Sequence, residues 1–214
     1  IVGAATRLAA NGVVDVPHAA KLLRQRVVSV DGQPVRSGAG RTIAVDGAFG
    51  LRGMGASDVL VVPGWFSATE VSIEQLLSRD ETQRGAVALR SAATKGTMLA
   101  ASCSATFLLA STGALDGQQA TTTWWLAAAF ARRFPAVSLA ADRMVVEAPG
   151  ALTAGSAFAH ADLMLAVIAR IAGPSLAQWV ARYLVLDNRP SQSRYMVMEH
   201  LRVSDPALQK VERF

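Results

Sequence analysis

The run Thr97-Met-Leu-Ala-Ala-Ser-Cys-Ser-Ala-Thr-Phe-Leu-Leu-Ala110 decides how this chain is read. Thr97 to Ser102 is a short, continuous apolar stretch, the pattern of a strand buried on both faces. Ser104 to Ser111 carries Phe107, Leu108 and Leu109 at helical spacing. Cys103 therefore stands on the turn between a strand and a helix.

Working outward, Asp58-Val-Leu-Val-Val-Pro-Gly64 repeats the buried-strand pattern and stops at Pro-Gly. Arg26 to Gly32 reads as a third strand, and Pro34 to Val45 as a hairpin beside it. Val137 to Leu139, Met144 to Glu147 and Ala151 to Gly155 are three later strands. Helical periods lie between them at Asp80 to Thr94, Trp124 to Phe134 and Ser156 to about Ala172. Another runs to Leu186 with Ser175 as its N-cap. Strands alternating with helices of this length predict an α/β sandwich, mainly parallel. Ile1 to Asn11 reads as a helix already under way, and Asp205-Pro206 as the start of a further one. Both ends are expected to continue into more protein.

With 214 residues, one domain is the leading expectation. The 51% hydrophobic content against 17% charged excludes a disordered chain. No apolar run reaches the ~18 residues that a membrane span needs, and no basic-then-apolar leader is visible. A soluble, cytoplasmic domain is expected, with no membrane partner. The net charge is +5, and Lys occurs only at 21, 95 and 210, so Arg carries the basicity. The arginines are scattered, whereas a nucleic-acid surface clusters them on one face. This stretch of chain is therefore not expected to touch DNA itself. One Cys and three scattered His have no metal-ligand spacing, so neither a metal nor a cofactor is expected.

A nucleophile on a strand-to-helix turn is exposed at the C-terminal edge of a sheet, with helix N–H groups aimed at it. That arrangement lowers a thiol pKa and can hold an oxyanion. An inert buried thiol fits the same local sequence. His160 lies one helical turn beyond Leu152-Thr-Ala-Gly155, near the same sheet edge, as either a general base or a pocket-lining residue. Asp162 is only two residues on, about 200° around a helix, so it cannot orient that imidazole well. Gly64 and Trp65 could offer backbone N–H groups opposite Cys103. Trp124 and Trp125 read more readily as core than as a ligand platform.

Several of these stretches occur together in one family. Val61-Val-Pro-Gly64, Ala101 to Ala110 around Cys103, Gly113-Ala-Leu-Asp-Gly117, Ala120-Thr-Thr-Thr-Trp124 and Ala131-Arg-Arg-Phe-Pro135 appear in its order. Leu152 to Gly155, His160-Ala-Asp-Leu163 and Asn188-Arg-Pro-Ser-Gln192 continue the match. From about Val27 to Phe214 the chain resembles the amidotransferase-like, ThiJ/PfpI-type sensor domain found at the N-terminus of AraC-family transcriptional regulators.

The resemblance implies a flavodoxin-like three-layer sandwich, usually dimeric, with Cys103 at the elbow. It implies a ThiJ/PfpI domain over 1–200, and over 201–214 the approach to a helix-turn-helix domain through which DNA would be bound. It also implies a first central strand before Ile1. Two departures bear on chemistry. Thr123 stands where many relatives carry a His before the Trp, and Ser104 follows the Cys where the hydrolases carry a His. Neither hydroxyl is basic enough to take a thiol proton near neutral pH. The expected function is sensing of a small-molecule effector and dimerisation in a transcriptional regulator. The pocket would hold Gly64, Trp65, Cys103, Ser104, Thr123, Trp124, His160 and Asp162. The alternative is a cysteine hydrolase or hydratase acting on a small amide, nitrile-like or carbonyl substrate, with Cys103 as nucleophile and His160 as base. A third reading makes reversible oxidation of Cys103 a redox signal.

Overall fold

The computed structural model describes residues 1–11, 23–50, 54–65 and 67–196. In chain order the elements are α1 (Val2–Ala10), β1 (Val28–Ser29), β2 (Val35–Arg36), β3 (Thr42–Ile43), β4 (Gly47–Ala48) and β5 (Val59–Val62). Then come α2 (Glu70–Leu77), α3 (Asp80–Thr94), β6 (Met98–Ser102), α4 (Ala105–Ser111) and β7 (Gln119–Ala120). A 3-10 turn at Trp124–Leu126 leads into α5 (Ala127–Arg133), followed by β8 (Ser138–Leu139), β9 (Val145–Ala148) and β10 (Ala151–Ala154). The last helices are α6 (Ala159–Ala172) and α7 (Pro174–Tyr183).

The central sheet runs β5-β6-β10-β9. β5, β6 and β10 are parallel, and β9 pairs antiparallel to β10 at the edge. Pro149-Gly150 joins β9 to β10, with Gly150 at φ 74° in the position where such a turn demands a left-handed residue. β6 occupies the middle and is buried along its whole length. Its side chains alternate between two cores, as a strand covered on both faces must. Leu99 and Ala101 join Ile73, Leu89, Phe107 and Phe130 beneath α2 to α5. Met98 and Ala100 join Leu152, Ala154, Leu163 and Val167 beneath α6. Beyond α6, helices α1 and α7 add an apolar cluster around Leu8, Ile168, Leu176 and Val180. The molecule is an α/β sandwich of flavodoxin-like type, with a mainly parallel sheet and helices on both faces.

Local chemistry explains the boundaries. α2 opens with a capping box, Thr69 and Ser72 each taking the other's backbone N–H. α3 carries Asp80 and Glu81 at its positive end. The hairpin read over Pro34 to Val45 is present as β2 and β3, paired antiparallel. Several boundaries differ from expectation, and α7 ends at Tyr183 rather than at Leu186. α7 is capped by Gly173, with Pro174 at N1, rather than by Ser175. Proline's fixed φ suits N1, and Gly173 at φ 91° ends α6 and starts α7 in one residue. α6 begins at Ala159, three residues later than its periodicity suggested. The helix read from Trp124 starts as a 3-10 turn.

The strands read over Arg26 to Gly32 and Val137 to Leu139 are present as β1 and β8, whereas their two-residue partners β4 and β7, and helix α2, were not anticipated, those strands being too short for periodicity to reveal. The other two histidines, His18 and His200, and the helix read from Asp205 lie outside the described residues. Among the described residues no helix is long and apolar enough to cross a membrane.

Candidate functional site

Cys103 follows β6 directly and adopts φ 56°, a left-handed backbone that costs a non-glycine residue roughly 1–2 kcal/mol. Three contacts enforce it. Its N–H donates to Ala154 O at 2.9 Å, extending the β6–β10 pairing one residue further. Its carbonyl accepts from Thr122 Oγ1 at 3.0 Å. Gly64 presses against it so closely that a Cβ there would lie 2.7 Å from Cys103 Cβ. The strand-turn-helix elbow legible in the sequence is thus present and held on three sides.

The sequence left the thiol open between an acidified nucleophile and an inert buried group. Cys103 is only 4% exposed, and burial pushes its pKa up despite the favourable N–H and hydroxyl of Ser104 and the hydroxyl of Thr123. Removing solvent from a thiolate outweighs what the neighbouring dipoles return. The rate of Cys103 alkylation by iodoacetamide tracks thiolate fraction. Its pH profile is therefore expected to inflect above the ordinary thiol value of about 8.5. An inflection below that value, read by intact mass across pH, would contradict this picture of the elbow.

The other predicted site residues sort into two groups. Ser104 is buried, and its hydroxyl donates to Trp65 O at 2.5 Å while accepting Trp65 N–H at 3.0 Å. The Trp65 amide is thereby engaged, and Ser104 serves as a clip joining the loop after β5 to the elbow. Thr121, Thr122 and Thr123 are all buried behind Cys103. The Thr123 hydroxyl faces the Cys103 thiol. Trp124 meets Trp125 edge-on at 5.3 Å, and Trp125 Nε1 donates to Ser67 O. Both tryptophans are half-buried, and Trp125 packs against the core as its sequence context suggested.

His160 and Asp162 point to different partners. His160 Nδ1 pairs with Ser102 Oγ at 2.9 Å, one residue before the nucleophile position. Burial lowers the imidazole pKa, so the ring is neutral near pH 7. Asp162 pairs with Arg189 at 2.6 Å, and both are largely shielded. Burial raises the Asp162 carboxyl, and the Arg189 guanidinium opposes the rise without cancelling it. Of the predicted pocket residues, Asp162 alone lines the 550 Å³ cavity between α6 and α7. Among the described residues no group of three His, Cys, Asp or Glu could hold a metal ion.

Residues to which the sequence motifs gave no site role also shape the site. Gln192 is fully buried, and its Nε2 donates to Thr122 O at 2.9 Å and Ala141 O at 2.7 Å. Its Oε1 accepts Ser156 N–H at 3.2 Å. Ser102 and Arg189 belong beside it. All three depend on contacts 27 to 71 residues apart, which periodicity does not report.

A sandwich whose central strand ends in a strained cysteine elbow defines a class, and residues 12–170 match the DJ-1/PfpI family. The chain belongs to that family. More particularly, it is 32% identical over 195 residues to the HTH-type transcriptional regulator CdhR of Pseudomonas aeruginosa, covering 90% of this chain and 54% of the relative. The chain spans about half the length of the curated relatives it matches. Among solved structures, a ThiJ/PfpI family protein from Pseudomonas syringae superposes with a TM-score of 0.66 at 23% identity, over 92% of this chain and 79% of that one. An AraC family transcriptional regulator from Pseudomonas putida superposes with a TM-score of 0.57 at 23% identity, over 84% and 92%.

Proposed function

We propose that this chain is the ligand-sensing and dimerising domain of an AraC-type transcriptional regulator. Residues 1–200 form the DJ-1/PfpI unit, and residues 201–214 lead toward a helix-turn-helix unit that makes the DNA contacts. The observation that carries the reading is an elbow with no available base among the described residues. A cysteine hydrolase needs a group that takes the thiol proton and returns it to the leaving group. Here the thiol is buried and held protonated, Ser104 is clipped to Trp65, Thr123 offers only a hydroxyl, and His160 is engaged by Ser102. The kinship with HTH-type regulators supports the same reading.

In this proposal the effector enters at the C-terminal ends of β5, β6 and β10, where parallel sheets take ligands. Gly64, Trp65, Cys103, Ser104, Thr123, Trp124 and His160 line its path. Binding shifts the dimer arrangement and so the spacing of two attached DNA-binding units. The hydrolase reading draws on the strained φ of Cys103 alone.

The test is fluorescence anisotropy of the whole gene product against the DNA upstream of its own operon. Sequence-specific binding that weakens steeply with salt is expected, as phosphate contacts release counterions. A folded gene product with no preference over unrelated DNA would overturn the regulator reading.

A further inference from the structure

The cavity of about 550 Å³ lies between α6, α7 and residues 186–190, with Arg143 and Val145 closing it at the edge of the sheet. That volume falls within the range of small-molecule sites. Its wall is fixed at both ends. Leu186 N–H donates to Ala181 O at 2.8 Å, and Met144 N–H donates to Pro190 O at 3.2 Å. Midway, Arg189 bonds both Phe158 O and Asp162. The cavity is therefore held open by hydrogen bonds at each end of the segment.

Its lining has two chemistries. Val145, Leu165, Ala166 and Leu186 supply aliphatic surface, while three guanidiniums (Arg143, Arg182 and Arg189) and two carboxylates (Asp162 and Asp187) supply charge. Arg189 and Asp162 neutralise one another. Among the described residues Arg143 and Arg182 form no ion pair, and Arg182 is steadied over the Trp179 ring at 5.5 Å. Two unpaired guanidiniums thus face one further carboxylate, leaving the lining net positive. A guanidinium presents a planar fork that matches a carboxylate, and aliphatic walls prefer hydrocarbon to water.

We propose that this cavity binds an amphipathic small-molecule carboxylate, with Arg143 and Arg182 taking the carboxylate and the aliphatic wall taking its hydrocarbon body. The site is separate from the elbow, and its occupancy is read without DNA or turnover.

Calorimetric titration with 4-phenylbutyrate, with 4-phenyl-1-butanol as the neutral counterpart, tests it. Saturable binding of the acid at one site per chain is expected, with the alcohol at least tenfold weaker. The double substitution Arg143→Gln and Arg182→Gln changes two exposed side chains, and is expected to weaken the acid at least tenfold. The matched double substitution Arg132→Gln and Arg133→Gln, on the opposite face and paired with Glu70 and Glu74, is expected to leave affinity unchanged and so controls for net charge. No saturable binding of the acid, equal affinity for the alcohol, or the same loss from the Arg132→Gln and Arg133→Gln pair would each overturn the proposal.

Discussion

Replacing Gln192 with Ala is expected to lower the unfolding free energy by about 3 kcal/mol, because it strands one buried and two half-buried polar groups at once. The carboxamide is fully buried and bridges three segments of chain. Its removal leaves the Ser156 N–H without its acceptor and the Thr122 and Ala141 carbonyls without their donor. Each buried orphan costs roughly 1–3 kcal/mol, and partial relaxation keeps the total near the lower end of the sum. For a chain of this size that loss corresponds to a fall in Tm of roughly 6–12 °C. Gln192→Glu is isosteric, yet it places an acceptor opposite two carbonyls and is expected to cost at least as much. Urea unfolding checks both. A loss below about 1 kcal/mol for Gln192→Ala would mean that this residue does not anchor the segment after α7.

The anchor also bears on the elbow. Thr122 receives Gln192 through its carbonyl and holds the Cys103 carbonyl through its hydroxyl. Gly155, next to the end of β10, has no room for a side chain, since a Cβ there would lie 2.4 Å from the Gln192 carboxamide. A single polar side chain thus ties the C-terminal segment to the backbone behind the cysteine.

Phe107→Ala is the second substitution expected to have a large effect, destabilising by about 3–5 kcal/mol. Phe107 is buried on α4, four residues past the elbow, and meets Phe130 edge-on with centroids 5.0 Å apart. Phe134 approaches it at 6.0 Å from the end of α5. Truncation removes those edge contacts and leaves a cavity that a close-packed core cannot fully collapse. Phe107→Leu retains most of the volume and is expected to cost far less. Denaturant curves for the pair separate lost volume from lost aromatic contact. Equal losses for Ala and Leu would indicate that the ring geometry, rather than the filled space, holds α4 to α5.

Much of the architecture was legible locally. β5, β6 and β10 were read from apolar runs, because a strand covered on both faces needs little but hydrophobic residues and a stop. α3 was read with its observed ends, since acidic residues at its start and a Lys-Gly pair after it mark the boundaries. The elbow was visible for the same reason: an apolar strand meeting a helix at one residue leaves that residue on the turn. Boundaries at α6 and α7 slipped where Ser156 and Ser175 both look like caps, and where Gly173 and Pro174 serve as cap and N1.

The sequence by itself determined the parallel sandwich, the position of Cys103 and the absence of imidazole at Ser104 and Thr123, all of which rest on residue identity or on spacing within a few turns. Only the tertiary structure decided the electrostatics. Whether a thiol at an elbow is acidified depends on how much solvent the whole fold removes from it, and here burial wins. Which partner each polar group takes was equally non-local. His160 reaches Ser102 across 58 residues, Asp162 turns to Arg189, and Gln192 returns to the threonines behind the elbow. Such pairs form because the sheet brings distant strand ends together, and buried polar groups take whichever partner the packing presents.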